Sequence, residues 1–105
     1  MQIQINTDNH IDATANMVGN LQGLVADKLQ RFSSRLTRVE LHLTDENSSS
    51  KGGDDDIRCV MEARINGMQP VSVTERSANV EQAVRGALDK MRARLDTTLG
   101  KLNNH

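Results

Sequence analysis

The chain predicts an α+β fold of order β-α-β-β-β-α, a four-stranded sheet with both helices packed on one face. Three observations lead there. The apolar residues switch from period two to steps of three and four and back again. Asn66-Gly67 joins two alternating segments, the strongest short hairpin signal available. A strand followed by a helix and a second strand favours a parallel pair with a right-handed crossover, and the remaining strands then pair antiparallel.

The elements follow in order. Residues 2–6, QIQIN, place Ile3 and Ile5 on one face, and Thr7, Asp8 and Asn9 form the turn after them. Over 14–36, Val18, Leu21, Val25, Leu29, Phe32 and Leu36 recur at helical spacing, with Asp12 or Thr14 available to cap the start. Gly19 and Gly23 weaken that helix by about 1 kcal/mol each relative to Ala. In 38–44, RVELHLT turns Val39, Leu41 and Leu43 inward, and 45–56 is a polar, aperiodic tract expected to be a flexible acidic loop. Then 57–65, IRCVMEARI, puts Ile57, Cys59, Met61, Ala63 and Ile65 on one side and Arg58, Glu62 and Arg64 on the other. The return strand spans about 69–76, with Val71 and Val73 inward and Pro70 at its start, where a missing donor is tolerated. A final helix of 78–102 carries Val80, Val84, Ala87, Leu88, Met91, Leu95, Leu99 and Leu102 as its apolar stripe.

Composition narrows the function classes. At 105 residues the expectation is one domain, 1–105, with a modest core. Phe32 is the only aromatic residue, so the stacking platform of single-strand nucleic-acid binders is missing. The net charge of −1 means that any polyanion must be met by a sorted patch, not by the whole molecule. Cys59 is the sole cysteine, which excludes an intrachain disulfide and suits a reducing compartment. MQIQINTDN does not read as a signal peptide, and no apolar run approaches a membrane span, so a cytoplasmic protein without membrane contact is expected.

The cations are sorted along the helices. On a wheel of about 100° per residue, Lys28, Arg31 and Arg35 share one flank of the first stripe with no carboxylate, and Arg38 continues the run into the next strand. On the last helix, Glu81, Arg85, Asp89, Arg92 and Asp96 alternate in sign, the pattern of a self-paired solvated face. The other side carries Lys90, Arg94 and Lys101 without acidic neighbours at those spacings. Rows of unpaired cations suit phosphate oxygens, although such stripes are also what ordinary solvated helices carry. Asp45, Glu46, Asp54, Asp55 and Asp56 would repel phosphate and should point away from any RNA.

No catalytic set emerges, and the chain reads as a non-enzyme. His10, His42 and His105 are scattered, and Asp54–Asp56 lack the glycine and distal Glu of a calcium loop. Cys59 falls on an inward strand position, where a core thiol is the simpler reading. Lys51-Gly52-Gly53 lacks the spacing of a phosphate loop. No metal, cofactor or small-molecule substrate is expected.

Three strings, MQIQINTDN, VADKLQRFSSRLTRVELHL (25–43) and ALDKMRARLDTTLGKL (87–102), taken in order, resemble the first strand, first helix into second strand, and last helix of the bacterial hibernation promoting factor / ribosome-associated inhibitor A family. That family is also called the sigma-54 modulation family, and the likeness is to its short form. The resemblance implies a ribosome-associated protein that inhibits translation in stationary phase or stress by docking on the small ribosomal subunit. It implies contacts to ribosomal RNA phosphates from Lys28, Arg31 and Arg35 on the first helix and Lys90, Arg92 and Arg94 on the last. Two differences stand out: Asp96, Thr97, Thr98 and Leu99 lie where the family leads one to expect more lysine, and 45–56 is longer and more acidic. A protein-binding adaptor and a double-stranded RNA-binding module are the alternatives, and the oligomeric state stays open.

Overall fold

Alternate residues of three strands are withdrawn from solvent while their neighbours stay in it, so the sheet has one covered face and one open face. The computed structural model describes residues 1–46 and 57–103, with side chains described through Gly100. Its elements are β1 (Gln2–Thr7), α1 (Ala15–Lys28), a one-turn 3-10 helix (Gln30–Phe32), β2 (Leu36–Asp45), β3 (Ile57–Ile65), β4 (Val71–Ser77) and α2 (Val80–Asn103). The strands lie in the order β1-β2-β3-β4, with β1 parallel to β2 and the other pairs antiparallel. The β-α-β-β-β-α order and the four-stranded sheet expected from the sequence are present.

The register brings inward residues into layers: Val39 opposite Ala63, Leu41 opposite Met61, Leu43 opposite Cys59, and Met61 in turn opposite Val73. All are buried, in one core with Leu21 and Val25 of α1 and Val84, Leu88, Met91 and Leu95 of α2. Because only the inward set is buried, both helices lie on the same face. Helix α1 sits beside β1, whereas α2 covers β3 and β4, and the two helices touch along a seam. The core is aliphatic apart from Phe32, in line with the composition.

The first helix departs from its expected span of 14–36. It is capped by Thr14, whose hydroxyl accepts from the Met17 N–H at 3.1 Å, and it ends at Lys28. Leu29, Phe32 and Leu36 remain buried, but they sit in a cap, a 3-10 turn and the first position of β2. The spacing misleads because a 3-10 turn also brings i and i+3 together. Ser33 and Ser34, poor helix formers, fall where the chain must leave the helix and enter the sheet. The freed carbonyls are met locally: Phe32 N–H donates to Leu29, Ser33 to Gln30 and Arg35 to Phe32, at 2.9–3.1 Å.

Other boundaries shift by a residue or two. At the hairpin Gly67 alone takes positive φ, 76°, as the third position of a type II turn requires. The Met68 N–H closes that turn on Ile65 O at 3.1 Å. Asn79 caps α2 through its side chain, accepting from Gln82 N–H at 2.9 Å. Of the tract 45–56, Asp45 closes β2 and Glu46 follows in a turn, while residues 47–56 lie outside the described residues. The flexibility expected there, and the placement of Asp54–Asp56, therefore lie outside them too. No helix among the described residues is long and apolar enough to cross a membrane.

Candidate nucleic-acid interface

The two faces of the sheet treat their cations differently. On the open face, arginines stand on outward positions of β2, β3 and β4, and each has a carboxylate. Arg38 pairs with Glu40 at 2.8 Å and Arg64 with Glu62 at 3.4 Å. Arg58 and Arg76, which are cross-strand neighbours, share Glu46 at 3.8 and 3.2 Å. Arg38 also donates to the Gln4 side chain. It therefore lies across the sheet from the helical cations and does not continue their run, because an outward β2 position faces away from both helices.

On the helical side the cations fall into two groups, since residues two apart on α2 point about 200° apart. One group lies along the seam between α2 and the end of α1. There Lys28 shares a small depression with Arg85, Leu88 and Asp89. Arg31 and Arg35 border a groove with Ser34, Asp96 and Gly100. Arg92 is near enough for its charge to act on Asp96. The other group lies over the free edge of β4, where Lys90 donates to Thr74 O at 2.8 Å and Arg94 to Ser72 O at a long 3.5 Å. These side chains occupy outward carbonyls that would otherwise invite another strand.

The flanks that are acid-free on a helical wheel are not so in three dimensions. Arg31 meets Asp96 at 2.7 Å, and Lys90 meets Glu75 at 2.8 Å. The sign-alternating side of α2 is only partly self-paired: Arg85 holds Glu81 at 2.9 Å, while Asp96 is taken by Arg31 across the seam. A wheel registers neighbours on one helix and is blind to a carboxylate delivered by another element. Glu75 escapes the sequence analysis altogether and Asp96 is assigned there to the self-paired side of α2; no spacing signal marks either pairing, since they lie 15 and 65 positions from their partners.

Among the described residues, the basic side chains without an ion pair are Lys28, Arg35, Arg92 and Arg94, all on the helical side. Lys101 lies on α2, but its side chain is outside the described ones. The Arg31 guanidinium stacks over the Phe32 ring, 4.3 Å from its centroid, so Phe32 acts as both core and platform. Hydrogen bonding to Arg31, reinforced by its charge and that of Arg92, holds the Asp96 carboxyl below the usual carboxylate range. The same bond raises Arg31.

The remaining reactive groups are occupied structurally. Partial burial acts to raise Asp8, but backbone N–H bonds from Asp45 and His10 outweigh it and hold its carboxyl low. Asp8 thereby ties the end of β1 to the end of β2. Burial, aided by Glu75, pushes the Cys59 thiol up to about 12, far from a nucleophile's range. No cluster of three His, Cys, Asp or Glu gathers among the described residues.

A model of the Sigma 54 modulation protein / S30EA ribosomal protein family matches residues 3–103. Among solved structures, the chain is similar to the N-terminal domain of Protein Y from Thermus thermophilus. The TM-score is 0.72 and the identity 17%, over 93% of this chain and 99% of that one. It is also similar to a ribosomal subunit interface protein from Coxiella burnetii, with a TM-score of 0.69 and 13% identity over 95% and 99% of the two chains. No curated protein sequence matches. At such identities the two structures show a shared fold, and it is the sequence match over nearly the whole length that places the chain in the Sigma 54 modulation protein / S30EA ribosomal protein family.

Proposed function

We propose that this protein binds the small ribosomal subunit through phosphates of its RNA and holds translation inactive under stress or in stationary phase. The family is one of non-enzymatic binding proteins, and the two structural neighbours are a domain of Protein Y and a ribosomal subunit interface protein. The observation that carries the reading is the division of charge. Every arginine described on the open sheet face is in an ion pair, whereas Lys28, Arg35, Arg92 and Arg94, all on the helical side, are not. Arg94 is exposed and Lys28, Arg35 and Arg92 are half-buried, and a cation that reaches water without an ion pair exchanges a loose counterion for a phosphate, with no internal pair to break first. Lys101 would extend the α2 group. This role places the protein in the cytoplasm.

The test is binding to purified small subunits over a series of salt concentrations. Replacing Lys28 and Arg35 together by Glu should weaken binding and lower the slope of log K against log salt by about 0.7–0.9 for each lost contact. Arg64→Glu, on the open face, should change binding far less. Equal losses from the two faces would overturn the charge division. Binding that ignores salt would favour a protein-binding adaptor, and binding to naked duplex RNA as tight as to the subunit would favour a double-stranded RNA module.

A further inference from the structure

The Arg31–Asp96 pair has the form of a guanidinium holding a phosphate. Two parallel contacts join them, Nη1 to Oδ1 at 2.7 Å and Nη2 to Oδ2 at 2.8 Å, the fork geometry that arginine uses for either anion. The guanidinium has a second support besides its carboxylate, because it sits over the ring of Phe32, which is itself fixed in the core at 5% exposure. Both partners are open to water, with side-chain exposures of 57% and 51%, so an incoming anion can reach them. Beside them Arg35 borders the same groove and lacks an ion pair.

We propose that Asp96 is a built-in phosphate substitute: it occupies Arg31 in the free protein and yields that guanidinium to a ribosomal RNA phosphate on binding. The inference rests on the ribosome reading and specifies how that site is tuned. Asp96 lowers affinity by competing for Arg31, while keeping the guanidinium in its binding pose on Phe32. The pair Lys90–Glu75 is different in kind. Glu75 is pressed against Gly86, where an added Cβ would lie 2.7 Å from the Glu75 Cγ. Lys90 also holds the backbone of Thr74. That pair closes a sheet edge, whereas the Asp96 side chain is held across the seam by Arg31 alone, with Arg92 of its own helix acting on it by charge. Release of Asp96 leaves no backbone group unsatisfied.

The experiment compares the full chain with Asp96→Asn, Asp96→Glu and the double variant Asp96→Asn/Arg31→Gln, measuring binding to purified small subunits across salt. Asp96→Asn should bind more tightly at low salt. Its slope of log K against log salt should be steeper by about 0.7–0.9, one extra phosphate contact, a further loss of roughly five- to eightfold over a tenfold rise in salt. Asp96→Glu should behave as the wild type, and the double variant should lose the gain. A gain that survives in the double variant would mean that Asp96 merely repels phosphate and does not occupy Arg31, and melting curves should confirm that each variant is folded. If the wild type binds but Asp96→Asn binds no better, with an unchanged slope, the substitute role is wrong. If the wild type shows no salt-dependent binding, the ribosome reading itself falls.

Discussion

Cys59 shows how little chemistry a residue type promises before its surroundings are known. It sits at an inward position of β3 opposite Leu43, fully buried, with its thiol pushed up to about 12. An aromatic disulfide reagent at pH 8 should therefore leave the native protein unlabelled and react at once in denaturant. The raised value also has a consequence for stability, and its sign is definite. An acid whose pKa is higher when folded contributes fully below its unfolded value, about 9.0, and loses that contribution as pH rises towards 12. Stability should decline above pH 9 by up to about 1.4 kcal/mol per pH unit from this group, and Cys59→Ala should abolish that part of the alkaline decline. A native thiol that labels freely at pH 8 would contradict the burial.

At the scale of elements, Gly23 of α1 and Gly86 of α2 differ in what surrounds them. Nothing approaches a Cβ built at Gly23 of α1, so Gly23→Ala should gain helix propensity, about 1 kcal/mol, and raise the melting temperature by roughly 4–8 °C. In α2 the same exchange at Gly86 meets the Glu75 side chain, which must swing away and release Lys90. The propensity gain should be cancelled there, and a melting temperature raised as much as in Gly23→Ala would show that the contact yields freely. The break in the first helix matters for function as well. Ending at Lys28 lets the 3-10 turn carry Arg31 out towards α2, where it meets Asp96. A continuous helix to residue 36 would have kept Arg31 and Arg35 on one straight flank.

For the molecule as a whole, a net charge of −1 conceals a polarity between faces. Each arginine described on the open side of the sheet has a carboxylate partner, Arg58 and Arg76 sharing one, and the unpaired cations gather on the helical side. Proton linkage acts on the whole fold at acid pH. Asp8 and Asp96 both have carboxyls held low in the folded state, so their stabilising effect is complete above the unfolded value near 3.9 and is lost as pH falls through the lower folded values. The melting temperature should change little from these groups between pH 7 and 5 and fall below about pH 4. Asp8→Asn should flatten that acid limb, because it removes a carboxylate that the Asp45 and His10 N–H groups favour in its charged form. An acid limb unchanged in Asp8→Asn would mean that other carboxylates dominate it.

The strands, the hairpin at Gly67, the inward set from Ile57 to Ile65 and the stripe of α2 were legible from periodicity, because burial of one face imposes a repeat along the chain. The family resemblance was legible too, in short strings kept in order, and the match over residues 3–103 agrees with it. The end of α1 was not, since Leu29, Phe32 and Leu36 satisfy helix spacing and a 3-10 turn into a strand alike. Nor was the pairing of the cations. Whether Arg31, Arg38 or Lys90 is free depends on which carboxylate another element, or the next outward strand position, brings within about 4 Å, and Coulomb attraction is set by that distance and not by separation along the chain. Sequence determined which residues are charged and, within the strands and α2, which face they occupy; only tertiary structure decided where Arg31, Arg35 and Arg38 stand and which charges remain unpaired, because that depends on the end of α1 and on the packing of α2 against the seam and against β4.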